Sequence, residues 1–243
     1  MKIFDIHSHI LPGVDDGPTE IETSLQLLSS MKEQGITDVI ATPHFFATHE
    51  NLEEYISKVN SAYTLLKEES KHKDLPNIYL GSEVFYFSGM GKINSVKSLS
   101  LCNSKYILLE LPFCPITDNI IKNISDLSEN LGLTPIFAHI ERYAHLRGFK
   151  KILKLVSQNI ALAQINCSSV LDPYYKRTIA KLINKGLVSF LASDAHSLNS
   201  RPPMMDKALK EIEEKFGVKT KQMLIDNSIE LFNDIIQEEH FAI

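Results

Sequence analysis

The run Asp5-Ile6-His7-Ser8-His9-Ile10-Leu11-Pro12-Gly13-Val14-Asp15-Asp16-Gly17-Pro18 governs how the rest of the chain is read. A short apolar segment, Ile3 to Ile6, reads as a strand that ends in two histidines two residues apart. Alternate side chains of a strand share a face, so His7 and His9 can reach one ion together. A Pro12-Gly13 turn follows, then the adjacent carboxylates Asp15 and Asp16, then a Gly-Pro break before a helix. Two imidazoles and a nearby acid at a strand end look like the first half of a metal site. A pair of surface histidines beside an acidic turn would look the same over so short a stretch, so the remaining strands must decide.

Working outward, Thr19-Glu20-Ile21-Glu22 has the form of a capping box. Ile21, Leu25, Leu28 and Met31 then fall on one helical face. Gly35 ends that helix, and Thr37 to Thr42 reads as a second strand running into Pro43-His44. The unit recurs. A helix over Leu52–Lys67 precedes the strand Asn77–Leu80, which leads to Glu83. An irregular segment containing Gly89 and Gly91 gives way to Tyr106–Leu109 and Glu110. Helix Asn119–Asn130 precedes Thr134–Ala138 and His139. Helix Phe149–Gln158 precedes Ala161–Ile165 and Asn166. Helix Tyr174–Asn184 precedes Val188–Ala192, Asp194 and His196. Two further helices are expected, Met204–Phe216 and Ser228–Gln237, and the tail Glu238–Ile243 gives no signal. Three helices stop at glycine (Gly35, Gly132, Gly186) immediately before a β-rich run, the signature of a Gly C-cap turning helix into strand. Seven apolar strands alternating with helices, with no Pro/Gly-rich linker, predict an α/β fold with a parallel sheet in a single domain over residues 1–243.

Periodicity alone does not distinguish an open sheet from a closed one. The strand ends do. His7 and His9, His44, Glu83, Glu110, His139, and Asp194 with His196 all stand at the C-terminal ends of strands, and the remaining strand finishes in Asn166. A (β/α) barrel brings all these ends to one mouth, where such folds keep their chemistry, whereas an open sheet would spread them along an edge. Five histidines, two glutamates, Asp194 and one of Asp15 and Asp16 make nine candidate ligands. That is too many for one ion and fits two or three divalent ions with a bridging carboxylate. Imidazole and carboxylate without thiolate suit Mn²⁺, Fe or Zn²⁺ alike. His49, His72, His145 and His240 fall off the pattern and read as surface or turn residues.

Composition limits the alternatives. A chain of 243 residues with 44% hydrophobic and 23% charged residues has ample material for a core. The formal net charge of −5 argues against nucleic acid or an anionic membrane as the main partner. The one basic stripe, Arg147, Lys150, Lys151 and Lys154, reads as the solvated face of a helix. Cys102, Cys114 and Cys167 are widely spaced, which suits a reducing, cytoplasmic setting rather than a disulfide framework. The N-terminus does not read as a signal peptide, and no apolar run approaches membrane-spanning length. None of the cysteines begins a Cys-x₅-Arg loop.

The segments Asp5 to His9, Val14-Asp15-Asp16-Gly17-Pro18, Thr42-Pro43-His44, His139-Ile140-Glu141-Arg142-Tyr143, Ser193-Asp194-Ala195-His196 and Arg201-Pro202-Pro203 together resemble the polymerase-and-histidinol-phosphatase (PHP) superfamily. Within it they are similar to the manganese-dependent protein tyrosine phosphatases of bacterial capsule and exopolysaccharide operons. The resemblance implies a distorted (β/α)₇ TIM-like barrel with three divalent ions, Mn²⁺ foremost. By matched position His7, His9, Glu83 and Asp194 would hold one ion, and Glu83 would bridge to a second held by Glu110 and His139. Asp16, His44 and His196 would hold the third, with Asp16 rather than Asp15 the ligand of its pair. Arg142 and Arg201 match positions expected to bind substrate phosphate. The implied reaction is hydrolysis of a phosphotyrosine protein, a bacterial tyrosine kinase of polymer synthesis, by a metal-bridging hydroxide. The alternatives are another PHP phosphoesterase, acting on histidinol phosphate or a nucleotide, and a non-catalytic metal-binding scaffold of the same pathway. Two departures stand out: Ile140 replaces a more usual proline, and the loop Phe45–His49 is aromatic and lacks Lys and Arg.

Overall fold

In the computed structural model, which describes residues 2–241 and side chains through Ile235, every strand pairing is parallel. The strands are β1 (Ile3–Ser8), β2 (Ile36–Ala41), β3 (His44–Phe45), β4 (Asn77–Leu80), β5 (Glu83–Phe85), β6 (Tyr106–Glu110), β7 (Thr134–Phe137), β8 (Leu162–Asn166) and β9 (Phe190–Ala192). They run in the orders β1-β2-β4 and β3-β5-β6-β7-β8-β9. The two sheets are one wall with two local breaks. β2 continues into β3 past Thr42-Pro43, and β4 continues into β5 past Gly81-Ser82. Gly81 N donates to Ala41 O at 2.9 Å and Glu83 N donates to Pro43 O at 3.0 Å, so the ladder crosses both breaks.

The wall closes on itself. Asp194 N donates to His7 O at 2.9 Å, His9 N donates to Ala195 O at 2.8 Å, and Ser8 bridges Ala195 in parallel. Counting each broken pair once gives seven staves, the distorted (β/α)₇ barrel that the resemblance implied. Around it lie α1 (Ile21–Glu33), α2 (Leu52–Ser70), α3 (Asp118–Leu131), α4 (Phe149–Ser157), α5 (Cys167–Leu171), α6 (Lys176–Asn184), α7 (Met205–Phe216) and α8 (Val218–Phe241).

Alternation along the strands divides the apolar residues into two clusters, as expected of strands buried on both faces. Ile6, Ile40, Leu108, Ile136 and Ala192 join one cluster, with Leu231, Phe232 and Ile235 of α8. Val39, Ile107, Leu109, Phe137 and Leu191 join the larger cluster with the surrounding helices. The first cluster fills the barrel. α8 seals its N-terminal end, since Phe232 lies 4.4 Å from Phe4 and 5.2 Å from Tyr79 between ring centroids, both near strand starts. The C-terminal mouth is left to the polar strand ends.

Local chemistry explains most boundaries. Gly35, Gly132 and Gly186 take left-handed φ of 86°, 68° and 64° as their helices end, as the Gly-to-strand pattern predicted. The expected capping box at Thr19–Glu22 does not form: Glu20 is the N-cap of α1 and makes no side-chain cap bond. Thr117 does cap α3, accepting from Ile120 N. The segment expected to be irregular holds three 3₁₀ turns, Met90–Lys92, Asn94–Leu99 and Leu101–Asn103. Helix α5 was not anticipated, and the expected Ser228–Gln237 helix is part of the longer α8. The tail Glu238–Ile243, with His240, lies outside the residues whose side chains are described.

If α8 holds the barrel together from below, Phe232→Ala should cost about 3–5 kcal/mol of stability through the cavity it leaves. Urea unfolding should show that loss, and divalent-ion binding by the folded variant should match the parent.

Candidate metal centre

Each residue singled out at a strand end reaches the C-terminal mouth. His7 is the penultimate residue of β1, and the β1–β2 register shifts between Asp5 and Ser8, around His7. Nε2 of His7 and Nε2 of His9 stand 3.2 Å apart. Each lies 3.2 Å from Glu83 Oε2 and 3.5 Å from Asp194 Oδ1. Glu83 opens β5, directly after the break in its stave. Its Oε1 lies 3.0 Å from His139 Nε2, and its Oε2 lies 3.0 Å from His44 Nδ1. Glu110 closes β6, 3.7 Å from His139 and 3.8 Å from His44. Asp16 Oδ1 faces His196 Nε2 at 3.1 Å and His44 Nε2 at 3.6 Å. His44 therefore straddles two groups, one ring nitrogen toward Glu83 and Glu110 and the other toward Asp16. His49, His72 and His145 are exposed.

The geometry fits bound cations. Ligand atoms about 2.1 Å from a common ion stand about 3.0–3.4 Å from one another, close to the spacing among His7, His9, Glu83 and Asp194. His44 Nδ1, Glu83 Oε2 and His196 Nε2 are buried with no hydrogen-bond partner, despite carboxylates or imidazoles at hydrogen-bond distance. Buried polar atoms left unpaired are costly, and a cation among them removes that cost. Three groups can each surround an ion: His7, His9 and Asp194; His44, Glu83 and Glu110; and His9, Asp16, His44 and His196. Backbone strain accompanies the site. His139 and Asp194 hold left-handed φ of 35° and 52°, which costs a non-glycine residue about 1–3 kcal/mol.

Electrostatics divides the carboxylates. Burial opposes ionisation of Glu83, but the imidazoles of His7, His139 and His44 hold its carboxyl well below the usual range. Burial and the neighbouring Glu83 charge push Glu110 the other way, up to about 7. Asp194 is lowered against its own burial, chiefly by His7. His9 is buried too, yet Asp15 and Glu83 raise it to about 10. Burial keeps His139 below its ordinary value.

Several residues support the ligands in roles the sequence does not reveal, and of these Gln164 carries no motif at all. Asp15 Oδ2 accepts from His9 Nδ1 at 2.6 Å and from His44 N at 3.1 Å, fixing which His9 nitrogen faces the mouth. Gln164 Oε1 lies 3.2 Å from His7 Nδ1 and accepts from His139 N at 2.8 Å. Asn166 Nδ2 donates to Asp194 Oδ2 at 2.6 Å, and Tyr143 OH lies 3.1 Å from His139 Nδ1. The alternation Gln164–Asn166, ending a strand whose neighbours end in ligands, was the available signal. Arg142 and Arg201 sit on the rim, donating to Asp194 at 2.9 and 3.0 Å, and Arg201 also donates to Asp16 at 3.1 Å. Together with Asp194 they border a cavity of about 550 Å³.

Known proteins resemble this chain in sequence and in fold. Residues 3–233 match the family model for capsular polysaccharide synthesis, CpsB/CapC. The chain is 32% identical over 241 residues to the tyrosine-protein phosphatase CpsB of Streptococcus agalactiae, covering 93% of this chain and 96% of that one. It is 32% identical over 248 residues to CpsB of Streptococcus pneumoniae, covering 96% and 99%. Among solved structures it matches, with a TM-score of 0.83 and 29% identity over 96% of this chain and 95% of that one, a crystal structure from work on YwqE of Bacillus subtilis and CpsB of Streptococcus pneumoniae. Those two are described as unique metal-dependent tyrosine phosphatases.

The raised values of Glu110 and His9 have a measurable consequence. Each retains a proton to higher pH than usual, and an ion must displace it, so affinity should rise with pH. Titrating a divalent ion between pH 8 and pH 6 should show affinity falling about tenfold or more per unit below pH 7.

Proposed function

This chain belongs to the CpsB/CapC family of capsular polysaccharide synthesis, and on that premise we propose that it is a metal-dependent protein tyrosine phosphatase, a phosphomonoester hydrolase. The observation that carries this reading is the convergence of the Glu83 carboxylate with the imidazoles of His7, His9, His44 and His139 at a barrel mouth. In this reading His7, His9, Glu83 and Asp194 hold one ion, Glu83, Glu110 and His139 a second, and Asp16, His44 and His196 a third. Mn²⁺ is the ion we favour. Bound divalent cations would bring the pKa of a water toward neutrality and offset charge on the phosphoryl oxygens.

The protein's own groups do the rest. Arg142 and Arg201 offer planar, permanently charged donors at the rim, suited to two phosphoryl oxygens. Their present partner, Asp194, keeps both guanidinium groups aimed at the mouth. Asp15, Gln164 and Tyr143 hold the ring nitrogens that turn away from the centre. A tyrosyl oxygen, with a pKa of about 10, leaves more readily than an alkoxide and asks less of a general acid. A cysteine nucleophile has no place in this scheme. Cys167 is buried, which pushes its thiol up, and none of Cys102, Cys114 and Cys167 begins a Cys-x₅-Arg loop.

We take residues 1–243 as one PHP-type domain, working in the cytoplasm on a phosphotyrosine protein, a bacterial tyrosine kinase of capsule synthesis. Three free cysteines suit that compartment. Among the described residues no helix is long and apolar enough to cross a membrane.

Chelation should abolish hydrolysis of an aryl phosphate, and Mn²⁺ should restore it; activity that survives chelation would contradict the mechanism. Arg142→Ala should lower kcat/KM on the same substrate about 100-fold while ion content by mass spectrometry stays at the parent value.

A further inference from the structure

Arg142 borders one cavity, and a second is lined from Ala144 onward, two residues along the chain. The first, of about 550 Å³, reaches Asp194 and Arg201. The second, of about 580 Å³, lies outside the barrel between α4 and α6, and Ala144 at its edge is two residues from Arg142. Leu146, Phe149, Leu153 and Leu182 give it an apolar floor. Lys150 and Lys151 of α4 line it together with Lys181 of α6 and Lys185 just past the end of α6, and no acidic side chain lines it. Lys151 is paired with Asp118 at 2.7 Å. Lys150, Lys181 and Lys185 are exposed and make no ion pair among the described residues.

Taken alone, Lys150 and Lys151 read as the solvated face of one helix. The fold changes that reading by bringing a second pair of lysines to the same apolar surface. The concentration of positive charge is local, because the chain as a whole carries a formal −5. Long-range attraction to anions and a recessed apolar floor are two different means of recognition in one groove. A nucleic acid backbone would use the lysines and leave the floor without a role. A bilayer needs apolar groups that protrude, and these are walled in.

We propose that the groove between α4 and α6 docks an acidic stretch of the substrate polypeptide, carrying apolar side chains, that flanks the phosphotyrosine. The proposal rests on the phosphatase reading. Ala144 and Leu146, which line the groove, follow the Arg142 turn by two and four residues, so the flanks of a residue dephosphorylated beside Arg142 would come within its reach. Acidic side chains would meet Lys150, Lys181 and Lys185, and apolar ones Phe149 and Leu182.

The test is a variant combining Lys150→Glu, Lys181→Glu and Lys185→Glu, with Lys151 kept for its pair with Asp118. Three substrates are assayed: phosphotyrosine peptides with acidic–apolar flanks on either side, the same peptides with Gly/Ser flanks, and p-nitrophenyl phosphate. The parent should prefer the acidic peptides. In the variant their KM should rise about tenfold with kcat unchanged, while the other substrates stay within about twofold. Equal treatment of acidic and neutral peptides by the parent would overturn the proposal. So would binding to phosphatidylglycerol vesicles that the variant loses while peptide kinetics stay unchanged. If the parent hydrolyses none of the substrates, the phosphatase reading fails. The groove is then tested alone by fluorescence anisotropy of the acidic peptide without phosphate, which the parent should bind at least tenfold tighter than the variant.

Discussion

A carboxylate sealed from water is the demand around which this molecule is arranged. Glu83 is 1% exposed, and an ionised acid so deeply buried costs several kcal/mol unless positive charge or donors surround it. His7, His9, His44 and His139 crowd its two oxygens, and Oε2 still lacks a hydrogen-bond partner. Those imidazoles come from residues as far apart in sequence as His7 and His139, so only a backbone that curls β1, β3, β5 and β7 to one rim can supply them. Closure of the barrel and formation of the centre are thus the same requirement.

The two ends of the barrel divide the labour. At the N-terminal end Phe4, Tyr79 and Phe232 meet ring to ring, with α8 as the seal. At the C-terminal end regularity is given up. Two staves break just ahead of His44 and Glu83, and His139 and Asp194 take left-handed backbone. The dense packing below tolerates the strain above, as expected when catalysis and stability occupy opposite faces of a (β/α) barrel.

Much of this was legible in the sequence. The Gly-to-strand exits at Gly35, Gly132 and Gly186 marked the repeating unit, and a ligand-competent residue after six of the seven apolar runs marked the mouth. What stayed hidden depends on contacts between distant strands. Asp15 reads as half of an acidic pair until His9 Nδ1 is seen against it. Gln164 reads as an ordinary strand residue until His7 and His139 close on it. The breaks at Thr42-Pro43 and Gly81-Ser82 leave little trace in hydropathy, because the ladder runs through both. The capping-box pattern at Thr19–Glu22 misleads because Thr and Glu at that spacing satisfy it without forming the bonds. The lysines of α4 looked like solvated surface because α6, which completes the groove, lies some thirty residues on.

Whether one buried carboxylate ties neighbouring cations together is tested most directly by ion stoichiometry in Glu83→Gln. Amide replaces carboxylate with almost no change of shape, so the barrel should keep its circular dichroism. Equilibrium dialysis with Mn²⁺ should give two or three ions per parent chain and at least one fewer in the variant. An unchanged count at unchanged affinity would show that Glu83 is not the bridge and would contradict the account.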